Sequence, residues 1–135
     1  MKKLAPAIPV IAAAGILAAL AVAGNSNVPT TISIDTNGSI TQGTDTNLFI
    51  AGRVASSNPK CLPNRKLNVK GIYDTETTKR PFDTAVTSGR GGYNAIGPQK
   101  HAGHDITAAQ LSVKPKDIGT KRHPKRCGGH KITIG

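Results

Sequence analysis

The chain has no tryptophan, only 3% aromatic residues, seven acids against 18 Lys and Arg, and two cysteines. Each scarcity excludes something. Phe49, Phe82, Tyr73 and Tyr93 are the only aromatics, too few for a platform that stacks single-stranded bases. Glu76 is the only glutamate, and the chain carries no G-x-S-x-G, no Walker loop and no HExxH. A length of 135 residues leaves room for one domain with tails, not for a multidomain enzyme. Long hydrophobic runs are also missing, apart from one at the start, so a multi-span membrane protein is excluded.

That run defines the first segment. Met1-Lys2-Lys3 is a short basic head, Leu4 to Ala23 carries no charge, and the stretch ends Ala21-Val22-Ala23 before Gly24. Small residues at −1 and −3 are what a signal peptidase accepts, so residues 1–23 read as a signal peptide and the mature protein as starting at Gly24. The alternative is an uncleaved anchor, since about 20 apolar residues just span a bilayer. Pro6, Pro9 and Gly15 shorten any continuous helix there. The expected destination is secreted or extracellular, and the short Lys-Lys head suits a bacterial host.

Residues 24–135 contain 21 Leu, Ile, Val and Phe, close to the lower edge for a chain that folds alone. A thin core gives weight to a covalent constraint. Cys61 and Cys127, an even count in an exported chain, read as a disulfide. Two free thiols or two metal ligands are the alternatives. Closing so long a loop would stabilise by roughly 4 kcal/mol in the chain-entropy model.

Period-2 alternation predicts strands at 30–34, 47–55, 66–73, 80–87, 93–96, 106–113 and 131–134. In the third, Leu67, Val69 and Tyr73 share one face, and Lys66, Asn68 and Lys70 share the other. Turn formers are expected at Asp35-Thr36-Asn37-Gly38, Ser57-Asn58-Pro59, Ser88 to Gly92 and Ile96-Gly97-Pro98. Thr107 to Leu111 is the one short stretch with helical composition, and it is read as strand. About seven short strands point to an all-β fold, a small antiparallel β-sandwich, with a five-stranded barrel as runner-up. The organisation is then 1–23 signal peptide, 24–46 an N-terminal segment with the first strand, and 47–135 the sandwich domain.

Three stretches carry a resemblance: Gly52-Arg53-Val54 with Lys60-Cys61 and Asn64 to Val69; Asp83 to Tyr93; and Cys127 ahead of the last strand, Lys131 to Ile134. Together they resemble small secreted bacterial domains of transthyretin-like (prealbumin-like) or carboxypeptidase regulatory-like type. The resemblance spans about residues 50–134. It implies an Ig-like sandwich serving as stalk, spacer or binding module without catalysis, and fold alone fixes no function.

Chemistry-bearing residues are few. Arg90-Gly91-Gly92 is a single copy of an RGG motif and reads as a tight turn. Asp83 is expected to bond backbone N–H groups of its hairpin. His101, His104, His123 and His130 all lie in the last 35 residues, but their spacing matches no recognised metal pattern, so no metal and no cofactor is expected. Asn37-Gly38-Ser39 fits a glycosylation acceptor, which matters only in a eukaryotic host.

Positive charge is the strongest functional signal. Lys121-Arg122-His123-Pro124-Lys125-Arg126 packs four formal charges into six residues, and its proline makes it an extended loop. Lys121, Arg122, Lys125 and Arg126 are the candidate polyanion-binding residues, with a solubilising loop as the plain alternative. The expected partners are an anionic cell-envelope polymer or another extracellular protein, and no small-molecule substrate is identified. Two functions stand: a non-enzymatic secreted binding or structural module, or a small exported effector or enzyme with its site in the His-containing C-terminal loops.

Overall fold

The computed structural model describes residues 27–42 and 45–135; the expected signal peptide at 1–23 lies outside them. The described chain is all β apart from one short 3-10 turn, Pro59–Cys61. The strands are β1 (Asn27–Val28), β2 (Thr30–Gln42), β3 (Asp45–Ser56), β4 (Lys66–Tyr73), β5 (Arg80–Val86), β6 (Gly92–Pro98), β7 (Lys100–His101), β8 (His104–Val113), β9 (Lys116–Asp117), β10 (Arg126–Cys127) and β11 (His130–Ile134).

Two antiparallel sheets share one hydrophobic cluster. One has the order β2-β3-β6, the other β11-β8-β4-β5, with β7 folded onto β8. A third small sheet, β1-β10-β9, includes the parallel pair β1 and β10. Alternation fixes which face each strand buries. Leu67, Val69 and Tyr73 of β4 point inward, as do Leu48, Ile50 and Val54 of β3 and Leu111 and Val113 of β8. The short supply of large aliphatics is made up by Tyr73, Tyr93 and Phe82 and by Ala85, Ala95 and Ala109. Each buried tyrosine hydroxyl has an acceptor: Tyr73 donates to the Pro98 carbonyl (2.6 Å) and Tyr93 to the Ser33 carbonyl (2.9 Å). The rings therefore fill core volume without an unpaired polar end.

All seven expected strands are present. Two expected turns are not turns. Asp35 to Gly38 continues β2, because a bulge between Ile34 and Thr36 resets the register and pairing with β3 runs on to Gln42↔Asp45. Gly97 and Pro98 close β6, where pairing with Leu48 and Asn47 of β3 keeps them extended. The missing side chain of Gly97 makes room for the ring of Phe82, a carbon of which lies 2.6 Å from where a Cβ would fall. The turn at Ser88 to Gly92 does form, with Gly91 at φ 87°.

The two sheets leave two open seams, and a side chain bridges each. The Asp83 carboxylate on β5 accepts from the Thr84 N–H (2.8 Å) and, across the seam, from the Ile96 N–H of β6 (2.9 Å). On the opposite side His130 Nδ1 on β11 accepts from the Ile32 N–H of β2 (2.9 Å). Both bridges satisfy a donor on a strand edge, where no further strand supplies a carbonyl.

Cys61 and Cys127 form a disulfide across 66 residues, with Cα atoms 5.6 Å apart and both side chains fully buried. The bridge ties the 3-10 turn after β3 to β10, and it points to an oxidising compartment.

Candidate functional site: the basic loop and its surroundings

The loop between β9 and β10 is shaped by its own backbone. Ile118 N–H and Gly119 N–H both donate to the Lys125 carbonyl (2.9 and 3.2 Å), and Thr120 N–H donates to the His123 carbonyl (3.1 Å). The Thr120 hydroxyl then accepts from the His123 N–H (3.1 Å). Pro124 cannot donate, so the turn closes around it.

The result is a concavity of about 550 Å³, lined by Lys121, Lys125, Arg126 and Asp117 with Thr120 and Asn27. Residues 121–126 are all exposed. Lys121 and Lys125 thus share one hollow, whereas Arg122 is exposed but does not line it. Lys121, Arg122 and Lys125 stand in no ion pair, and the described residues include all seven acids.

Arg126 differs. Its Nε sits 2.8 Å from Asp117 Oδ1, and that bond raises its pKa further above the usual guanidinium value. Part of its charge is neutralised locally, so the free charge rests on Lys121, Arg122 and Lys125. Both partners are well exposed, so the pair contributes little to stability.

The four histidines do not converge. His101 Nδ1 lies 3.3 Å from Glu76 Oε2 and its ring lies near that of Tyr73, with centroids 5.7 Å apart. Arg80 holds the same Glu76 carboxylate at 3.3 Å, and this bond, foremost among the causes, keeps the Glu76 carboxyl below its usual range. His104 Nδ1 lies 3.2 Å from the Thr75 hydroxyl. His123 is in the basic loop, and His130 bridges the seam. Among the described residues no three His, Cys, Asp or Glu side chains are grouped to hold a metal ion.

Sequence reasoning missed Arg65. It is 2% exposed, with no carboxylate partner, and burial pushes its pKa down. Its guanidinium donates to the carbonyls of Cys61 (2.8 Å), Lys114 (2.8 Å) and Gly128 (2.9 Å) and to the Thr30 hydroxyl (3.3 Å). One side chain thus joins both ends of the disulfide region to β2 and to the end of β8. The alternation of β4 does carry a signal, because Arg65 is in phase with the inward-facing Leu67 and Val69, but a charged residue just ahead of a strand reads as solvent-facing.

Comparison with known proteins finds no family model, no curated protein and no solved structure that matches this chain.

Proposed function

We propose that this protein is an exported, non-enzymatic module whose basic loop binds an anionic polymer of the cell envelope. The observation that carries the reading is the hollow of about 550 Å³ that gathers Lys121, Lys125 and Arg126, with Arg122 exposed on the same loop. Self-repelling cations held in a shaped loop, with one acid among four bases, suit an anionic group better than a neutral one. The fold we propose behind it is a β-sandwich of transthyretin-like kind. Two sheets on a common core, a cysteine after β3 and a cysteine ahead of the last strand support that reading.

Binding through the loop is charge-driven. It should weaken steeply with salt, because each neutralised anion releases counterions. The test is retention on a heparin-type column for the wild type and for the variant with Lys121, Arg122, Lys125 and Arg126 all changed to Ser. The variant should elute at clearly lower salt with an unchanged melting temperature, since the loop places no apolar side chain in the core cluster. Equal elution would mean that the loop is only a solvated face.

A further inference from the structure

The outer face of the β11-β8-β4-β5 sheet carries a second concentration of cations. Alternation turns Lys66, Asn68 and Lys70 of β4 outward, with Gln110 and Ser112 of β8 and Lys131 and Thr133 of β11. Cross-strand register arranges them in rows. Thr84, Asn68, Ser112 and Lys131 form one row across four strands, and Lys70, Gln110 and Thr133 form the next. Lys114 follows immediately after the Leu67↔Val113 pair and shares a hollow with Lys66.

Two concavities lie on this face. One, of about 270 Å³, is lined by Asn64, Lys66, Lys114 and Lys116. The other, of about 510 Å³, is lined by Lys70, Thr84, Ser112 and Pro81. Asn68 and Lys114 line both, so the two run into one another. Lys66, Lys70, Lys114 and Lys131 are exposed and stand in no ion pair. Asp83 is the acid at the margin, and each of its oxygens already accepts a backbone N–H.

We propose that this face binds a linear acidic polysaccharide. The inference extends the polyanion reading of the basic loop to a separate surface. Lys66 and Lys70 are four residues apart on one strand, about 13 Å at the rise of a strand, and Lys131 lies two strands away, about 10 Å across. Cations so spaced meet successive groups of a polymer and not one small anion. The rows between them hold amides and hydroxyls, which pair with sugar hydroxyls. Phe82 lines the larger hollow but is 7% exposed and packed in the core cluster, so no exposed ring is offered to stack on an uncharged sugar, and recognition falls to the charge of the ligand.

The test uses polygalacturonate, polyphosphate and neutral dextran with three variants of the full chain. In the first, Lys66, Lys70, Lys114 and Lys131 become Gln. In the second, Asn68, Gln110 and Ser112 become Ala. The third is the loop quadruple variant. The Gln variant should bind polygalacturonate at least tenfold more weakly, with a salt slope reduced by roughly 3, at 0.7–0.9 per lost contact. The Ala variant should lose about tenfold on polygalacturonate with an unchanged slope, and nothing on polyphosphate. Dextran should bind none of them.

Wild-type affinity of the Gln variant for polygalacturonate would overturn the proposal. Equal losses of the Ala variant on both polymers would overturn the recognition of sugar. The loop variant separates the two surfaces: if it alone loses affinity, the sheet face is not a site, and if it alone retains affinity, the loop reading fails while the sheet face stands. Should the Gln variant fold poorly, the single changes Lys70→Gln and Lys131→Gln give the same reading at smaller size.

Discussion

Replacing Arg65 with Met should be among the most damaging single changes in this protein. The guanidinium donates to three carbonyls and one hydroxyl in a site from which water is nearly excluded. Methionine fills much of the volume but donates nothing. The three carbonyls belong to the backbone, so no substitution can make them apolar, and each loses its cationic donor. A hydrogen bond to a charged group contributes about 1.5–3 kcal/mol, and an unpaired buried polar group costs about 1–3. The four bonds are not additive, and relaxation admits some water. The loss is therefore set at about 3–5 kcal/mol, the scale of one or two charged-donor hydrogen bonds lost with a buried carbonyl left unpaired. For a domain of this size that corresponds to a fall in melting temperature of roughly 12–20 °C.

Arg65→Lys keeps the charge and loses the planar fork, so it should recover only part of the stability. Urea and thermal unfolding followed by circular dichroism provide the measurement, with wild type, Arg65→Met, and each combined with Cys61→Ala and Cys127→Ala. Arg65 holds the carbonyls of Cys61 and of Gly128, the residue after Cys127, so the guanidinium and the bridge should couple by about 1–2 kcal/mol. A stability for Arg65→Met within about 1 kcal/mol of wild type, at the same urea slope, would refute the argument.

The other expectations concern the bridge and the seam. Reducing Cys61–Cys127, whose ends are 66 residues apart, should cost about 4 kcal/mol and lower the urea midpoint accordingly, and an unchanged midpoint in reductant would show that the fold does not depend on the bridge. His130 accepts at Nδ1 from Ile32 N–H, and burial lowers its folded pKa below the usual 6.5. The neutral ring is the native one, so its contribution is complete above about pH 6.5 and is lost as pH falls through the folded value. Melting temperatures of wild type and His130→Gln between pH 7.5 and pH 5 should converge toward the acid end, and parallel curves would refute the role of the imidazole.

Much of the sheet structure was legible because half-buried strands advertise themselves. Lys66 to Tyr73 alternates so regularly that one face could be named from the residues alone, and the even cysteine count gave the bridge. The misses are long-range effects. Asp35 to Gly38 has turn composition, yet pairing with Ala51, Ile50 and Phe49 holds it in β2. Gly97 has the look of a breaker, yet it pairs with Leu48 and leaves room for the ring of Phe82. The density of positive charge in the sequence drew attention to residues 121–126, where Asp117 in fact engages Arg126. The lysines of the sheet face are scattered over 66, 70, 114 and 131, and only strand register gathers them. Arg65 shows the same limit from the inside, since its acceptors come from positions 30, 61, 114 and 128.

The disulfide also sets how far the molecule can be drawn out by force. A pull applied at its two ends passes from Cys61 to Cys127 through the sulfur–sulfur bond and leaves the chain between them without load. Those 66 steps represent about 220–240 Å of extended chain that stays unavailable while the bridge is intact. Of the described strands, only β1 to β3 on one side and β11 on the other can be peeled away. The second sheet would keep β8, β4 and β5 paired even as its last strand leaves, because all three lie within the closed loop. In an oxidising compartment Lys66 and Lys70 on β4 and Lys114 just after β8 are thus carried by the part of the domain that tension does not reach, whereas Lys131 on β11 leaves it when that strand is drawn away.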